Sequence, residues 1–311
     1  MNTLKVSVAK KLVLSLAIFS SIESFACGRS SVLDLQDVSE ELVALYDQGK
    51  DVRCEIDRSL IKPNDPMYNL HAIGKVTAAK LVNGQPGYVE SVKQQENSSW
   101  GTGFMISPCH MLTNYHVVSS TEKAIKGKSV NFSFGDAGLD FKTRITGRVV
   151  ASGDYLTSAN KSSDWAVVKF DSLKNAKSVP YIFPYFRIVN NINKNISLTA
   201  GYPVRSQGEK THKIFGMKSV LTSVDTYYMT GKVVITAGNS GSPAAMEIDE
   251  NGMLMANGLV AGNQKFLNGG DVINGKKEII SLGIIKNQIL NSTDSYLMKE
   301  IGNAIGAGSC E

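Results

Sequence analysis

The sequence predicts an all-β protein with short helical segments near both ends. Short apolar runs of β-forming residues recur at close spacing from about residue 72 to 285. Turn signals separate them at Asn83-Gly84, Gly135-Asp136 and Asp249-Glu250-Asn251-Gly252, the pattern of an all-β barrel. Helical spacing of apolar residues is confined to residues 32–46 and 289–305. A chain of 311 residues, 42% of them hydrophobic, can bury one large core or two barrels sharing an interface.

Taken in order, the chain opens with the pattern of a signal peptide. Lys5, Lys10 and Lys11 form a basic region, Leu12 to Phe19 an apolar core, and Ser24-Phe25-Ala26 a small-residue cleavage site. The core is too short for a permanent membrane anchor. Cleavage after Ala26 would leave Cys27 first, which raises lipidation; Ser24 stands where such signals usually carry Leu, Val or Ile. The expected location is secreted or periplasmic. Residues 27–70 form an extension whose apolar positions Val32, Leu33, Leu35, Val38, Leu42, Val43, Leu45 and Tyr46 suit a helix. Asp34 or Asp37 would start it and Gly49 end it. It is either a propeptide or a helix packed permanently on the rest.

A first β domain is expected over 71–175, with strands at Ala72–Val82, Gly87–Val92, Gly101–Ser107, Met111–Val117, Ser129–Phe134, Ile145–Ala151 and Trp165–Phe170. A second spans 176–285, with strands at Tyr181–Val189, Ile196–Ala200, Lys213–Ser223, Tyr227–Thr230, Lys232–Ile235, Ser242–Ile248, Met253–Ala261 and Glu278–Ile285. Residues 286–311 read as a C-terminal helix and tail, with a break near Asn291-Ser292.

Charge and cysteines narrow the functional classes. Taking three lysines and Glu23 from the formal charge of +5 leaves about +3, spread along the chain. No basic run with interleaved aromatics indicates nucleic acid or a membrane surface. Four cysteines, Cys27, Cys54, Cys109 and Cys310, favour two disulfides in an exported chain. The favoured pairing is Cys27–Cys54 and Cys109–Cys310. Scattered singly, they make a zinc site unlikely, and neither metal nor cofactor is expected.

The chemistry is carried by three segments. In Gly238-Asn239-Ser240-Gly241-Ser242-Pro243 a serine sits between glycines that permit unusual backbone angles. The N–H groups of Gly238 and Ser240 can converge on one developing oxyanion. A serine hydroxyl needs a neutral imidazole to take its proton, and the imidazole needs a carboxylate to fix its tautomer. His116, in Thr113-Asn114-Tyr115-His116-Val117-Val118, and Asp164, at the mouth of Trp165-Ala166-Val167-Val168, fit those roles. His71, His110 and His212 lack the same context. Asp154 and Asp171 are the rival acids, and Ser242, with no glycine two residues upstream, is the decoy serine.

The order His, Asp, Ser separates this arrangement from subtilisins and α/β-hydrolases. At Gly101-Thr102-Gly103-Phe104, residues 113–118, Asp164 to Val168, Gly201-Tyr202-Pro203 and residues 238–243, the sequence resembles the trypsin-like serine proteases. It is most similar to the bacterial branch of V8-type and HtrA proteases, and is expected to lack a PDZ domain. The resemblance implies two six-stranded antiparallel Greek-key barrels, a cleft between them, and a monomer acting on peptides or proteins. The pocket for the residue before the cut would be lined by Val234, Ile235 and Thr236 on one side and Ala261, Gly262 and Asn263 on the other. These residues are uncharged, so small or medium apolar side chains are expected there, not charged ones. The V8-type histidine that reads glutamate is replaced by Val260. Asn239 stands where animal digestive proteases carry an aspartate that pairs with a freed N-terminus, so activation by that ion pair is not expected. The alternatives are a protease-like peptide-binding module without turnover and an esterase using the same three residues.

Overall fold

A computed structural model of the protein describes residues 40–48, 50–78, 81–82, 85–86, 100–118, 125–133, 144–154, 161–170, 185–187, 196–204, 213–224, 228–261 and 279–308. The expected signal peptide, the strand at Gly87–Val92, Cys27, Cys310, Asp171, His212, Gly262 and Asn263 lie outside these residues.

The strands are β1 (Cys54–Glu55), β2 (Ile73–Ala78), β3 (Leu81–Val82), β4 (Gln85–Pro86), β5 (Gly101–Ser107), β6 (His110–Thr113), β7 (Ser129–Ser133), β8 (Arg144–Ser152) and β9 (Ala166–Lys169). After them come β10 (Ile196–Gly201), β11 (Phe215–Val224), β12 (Tyr228–Lys232), β13 (Pro243–Ala244), β14 (Glu247–Ile248), β15 (Leu254–Met255), β16 (Gly258–Val260) and β17 (Ile279–Ser281). Six of them close a barrel in the order β2-β5-β6-β9-β8-β7. The second sheet runs β10-β11-β12-β17-β16-β13, and Leu198 and Met246 exchange two backbone hydrogen bonds of 2.9 Å that bring β10 back beside β13. Both sets therefore share one Greek-key order, 1-2-3-6-5-4, although their sequences show no repeat. The antiparallel double barrel follows from local pairing, and closure of the first set leaves its six strands without an open edge.

Apolar side chains fill the barrels. Phe104, Met105, Phe132, Val168 and Phe170 are buried in the first, with the Phe132 and Phe170 rings 5.9 Å apart. Val233, Val234, Ala244, Val260 and Ile279 form a cluster in the second.

The extension is woven into this architecture. Its helix covers Glu40–Asp47, and Val52 packs into the second-barrel cluster. β1 pairs with β11 on the same edge that β12 uses further along, matching Cys54 with Gly216 and Glu55 with Phe215. Arg58 is almost wholly buried, and its guanidinium donates to Leu70 O (3.1 Å), Ile73 O (2.7 Å) and the Tyr202 hydroxyl (2.9 Å). A buried cation holding three oxygens ties the extension to both barrels. Cys54 keeps its sulfur as a thiol in the apolar core, which corrects the expected Cys27–Cys54 bridge. In that setting a cysteine behaves as a small hydrophobe. Cys109 is disulfide-bonded, and its expected partner Cys310 lies outside the described residues.

Several boundaries differ from the sequence expectation. Residues 185–187, within the expected strand Tyr181–Val189, lie outside any strand, and the runs Ser242–Ile248 and Met253–Ala261 are each split into two short strands. The run Glu278–Ile285 is a strand only to Ser281 and continues as the helix Leu282–Leu290. The run Lys232–Ile235 leaves the ladder after Lys232, and its apolar residues pack into the second-barrel cluster, where Val234 N donates to Met217 Sδ (2.9 Å). A second helix, Tyr296–Ala307, ends at Gly308 in the left-handed conformation that favours glycine. Between the helices Ser292 Oγ donates to Ile289 O (2.8 Å) and accepts from Asp294 N (3.1 Å), which breaks the helical run. No helix among the described residues is long and apolar enough to cross a membrane.

The last helix docks on the first barrel through Lys169–Glu300, beside the buried His110. Ser107 Oγ accepts from the backbone N–H groups of Cys109 and His110, so its own proton goes to His110 Nδ1 (2.8 Å). His110 Nε2 therefore carries the ring proton and faces Glu300 at 3.8 Å. Burial, more than the opposed charges of Glu300 and Lys169, lowers its pKa from 6.5 to about 4. An unfolded chain thus takes up this proton before the folded one. The stability this provides is complete above about pH 6.5 and is lost as pH falls toward 4. His110→Gln should flatten the acid limb of a urea-denaturation stability profile between those values.

Candidate functional site

β6 ends at Thr113, and His116 lies on a single helical turn, Tyr115–Val118, in place of the expected strand to Val117. A turn start leaves backbone N–H groups without helical partners. The His116 N–H is taken by Asp164 Oδ1 (3.0 Å), while His116 Nδ1 donates to Asp164 Oδ2 (2.6 Å). One carboxylate thus grips both the backbone and the ring of the same residue. Asn114 Nδ2 secures the acid's own main chain by donating to Asp164 O (2.7 Å). Asp164 is buried, whereas the His116 side chain is about one-third exposed at 36%. The ring nitrogen turned away from Asp164 carries the lone pair. Of the rival acids, Asp154 is exposed, and of the rival histidines, His71 contacts Ile61 O (3.3 Å).

The serine loop is set by two left-handed glycines, Gly238 and Gly241, each with φ of 87°. A Cβ on Gly238 would strike Tyr202 O and one on Gly241 would strike Thr102 O, so side chains are excluded on both counts. Asn239 N donates to Thr236 O (3.0 Å) and Gly241 N to Val260 O (2.9 Å). The N–H groups of Gly238 and Ser240 have no acceptor among the described residues. Ser240 is partly exposed, whereas Ser242 is fully buried with its hydroxyl against Gly201. Gly101 lies between Val117, the neighbour of His116, and the Ser240 carbonyl: a Cβ there would sit 2.5 Å from Val117 Cγ2 and 2.7 Å from Ser240 O. A bare glycine backbone is what lets the histidine turn and the serine loop approach. No hydrogen bond joins Ser240 Oγ to His116 among the described residues, a contact that proton transfer needs only in the reacting complex.

Thr102 is the residue whose role sequence reasoning missed. Its N–H donates to Ser240 O (2.8 Å), its Oγ1 donates to Gly238 O (2.7 Å) and accepts from Tyr202 N (3.0 Å), and its carbonyl accepts from Thr113 Oγ1 (2.7 Å). It lies inside Gly101-Thr102-Gly103-Phe104, but a lone threonine in a strand carries no signal of four such partners. Arg53 was missed too. It is buried beneath the loop, donating from Nη1 to Thr236 Oγ1 (2.6 Å) and Asn239 Oδ1 (3.0 Å).

The residues expected to line the pocket divide. Val234 and Ile235 are buried in an apolar cluster with Val52, Met217 and Val260, Thr236 is buried against Arg53, and Ala261 is partly exposed just after β16. Val234, Ile235 and Thr236 are therefore not open to solvent as pocket lining. No cluster of His, Cys, Asp and Glu among the described residues is arranged to hold a metal.

Two Greek-key barrels, with a partly exposed histidine held by a buried acid and a glycine-flanked serine on the loop before β13, define the antiparallel double-barrel class. Residues 101–253 match the family described as trypsin-like peptidase domain, and the described residues form an antiparallel double barrel. A curated relative, the uncharacterized protein y4fB of Sinorhizobium fredii (strain NBRC 101917 / NGR234), is 34% identical over 86 residues. That match spans 27% of this chain and 13% of the relative's length. Among solved structures, a Glu endopeptidase is 21% identical with a TM-score of 0.47, covering 78% of this chain and 96% of that one. An inactivated protease paralogue of the scabies mite is 10% identical with a TM-score of 0.47, covering 73% and 95%.

Thr102→Val keeps the shape and removes the hydroxyl, leaving Gly238 O and Tyr202 N buried without it. The expected loss is about 1–3 kcal/mol of stability, read by urea denaturation.

Proposed function

We propose that this protein is an exported serine endopeptidase working through Ser240, His116 and Asp164. The observation that supports this most is the double grip of Asp164 on His116. It sets the imidazole in the tautomer whose free nitrogen can accept a proton. In this reading Ser240 Oγ attacks the peptide carbonyl carbon as its proton passes to His116 Nε2. The resulting oxyanion sits at the N–H groups of Gly238 and Ser240, which are otherwise unengaged among the described residues. His116 then returns the proton to the leaving amine, and an acyl-enzyme remains on Ser240. Water, deprotonated by the same imidazole, attacks the ester, and proton return frees the acid product and Ser240.

Asp164 offsets the positive charge that develops on His116, and its burial keeps water from weakening that contact. No charged residue stands among Val234, Ile235, Thr236 and Ala261, the described residues at the expected pocket positions, which supports small or medium apolar side chains before the cut. A charged side chain would lose its hydration there without a counter-charge among the described pocket residues. Export rests on the N-terminal pattern of residues 1–26.

A fluorophosphonate probe tests the nucleophile. It should label the purified mature protein, and Ser240→Ala should abolish the labelling. Ser242→Ala, at a hydroxyl facing the interior, should leave most of it. Labelling that survives Ser240→Ala and disappears with Ser242→Ala would overturn the assignment. Asp164→Asn should lower kcat by roughly 10⁴-fold through loss of the correct tautomer. Cleavage of a peptide library should favour Ala, Val or Leu before the cut, and enrichment of Lys, Arg or Glu there would refute the pocket reading.

A further inference from the structure

We infer that Arg53, held in place by Asp51, is a positioning residue for the oxyanion loop, a built-in strut supplied by the extension. The inference rests on the catalytic reading above.

Three elements meet at its guanidinium. Nε and Nη2 donate to the two oxygens of Asp51 (2.8 and 2.6 Å), a bidentate pair almost entirely out of water. Nη2 also donates to Val204 O (3.3 Å), and Nη1 donates to Thr236 Oγ1 and Asn239 Oδ1. Asn239 Oδ1 further accepts from Thr236 N (3.3 Å), while Thr236 Oγ1 donates to Val204 O (2.7 Å) and Val204 N donates to Ala237 O (2.6 Å). Every residue from Thr236 to Asn239 except Gly238 is thus bound to the Arg53 cluster directly or through Val204. Gly238 is the residue whose N–H must point outward for the proposed oxyanion site, and its backbone is held at a left-handed φ of 87°. A peptide unit in that conformation keeps its direction when its flanks are fixed.

The charges fit this role. Asp51 pairs with Arg53, and the contact to residue 239 uses a neutral amide oxygen, so the cluster carries no net charge among the described residues. An aspartate at 239 would leave a surplus negative charge beside the developing oxyanion. A neutral asparagine suits a strut that brings its own counter-ion. The cation also arrives from within the chain: β1 begins at the next residue and is paired to β11, and Arg58 is locked between Leu70, Ile73 and Tyr202. The loop can therefore be held in its working shape without a newly freed N-terminus.

The test compares wild type, Arg53→Ala, Arg53→Lys and Asn239→Ala for fluorophosphonate labelling rate, kcat and KM on a cleaved peptide, and affinity for a peptide boronic acid. The boronate forms a tetrahedral anion in the oxyanion site, whereas a product peptide does not. Arg53→Ala should slow labelling and lower kcat by about 10²-fold, the scale of a lost oxyanion donor. KM and product-peptide affinity should stay within about threefold, while boronate affinity falls in step with kcat. Arg53→Lys should recover part of the rate by restoring one donor. If Arg53→Ala does not fold, Asn239→Ala, which keeps the Arg53–Asp51 pair, should reproduce the selective loss of kcat and boronate affinity. A folded Arg53→Ala or Asn239→Ala with wild-type labelling rate and boronate affinity overturns the inference, as does an equal loss of boronate and product-peptide affinity. Absence of labelling in the wild type would instead overturn the catalytic reading on which it depends.

Discussion

The hydrogen bonds of Thr102 are the constraint on which the site depends. One buried residue on β5 reaches the serine loop twice, through Ser240 O and Gly238 O, and reaches Tyr202 after β10 and Thr113 on β6. Its four partners come from both barrels. With the backbone groups at the interface satisfied this way, the loop has few alternative positions, because each would leave a buried donor or acceptor unpaired. The glycines at 101, 238 and 241 are the steric counterpart. They are among the points where backbone or side chain from another segment approaches too closely for a Cβ.

From that interface the geometry extends in two directions. Toward the first barrel, the end of β6 at Thr113 frees the following residues to form a helical turn whose N–H and imidazole share one carboxylate. Toward the second, the loop rests on Arg53 and Asp51, and the apolar cluster beneath it includes Val52 from the same segment. The extension therefore contributes to the core, to a strand pairing and to the underside of the candidate site within a few residues. Its involvement at three levels accounts for the close packing of its described residues.

Much of this was legible in the sequence. Alternating apolar runs and turn signals are local properties, and strands such as Gly101–Ser107 match the observed element at both ends. The glycine-flanked serine and the acid before Trp165 are recognisable because their chemistry requires particular residue types in short windows. Boundaries set by long-range partners were less legible. His116 was expected at the end of a strand, since nothing in its neighbours shows that a carboxylate 48 residues away takes its N–H. Cys54 was expected in a disulfide, because counting cysteines does not show that its sulfur packs in the core.

The sequence by itself determined the all-β class, the break between the C-terminal helices and the three residues that could act together, because periodicity and side-chain chemistry are intrinsic to short segments. Only the tertiary structure decided that Thr102 joins the barrels, that Ser242 is buried while Ser240 is reachable, and that Arg53 lies under Asn239. Those facts depend on contacts between residues 11 to 186 positions apart. Such pairings arise when two barrels close against each other, and no local pattern encodes which polar groups are then left to find one another.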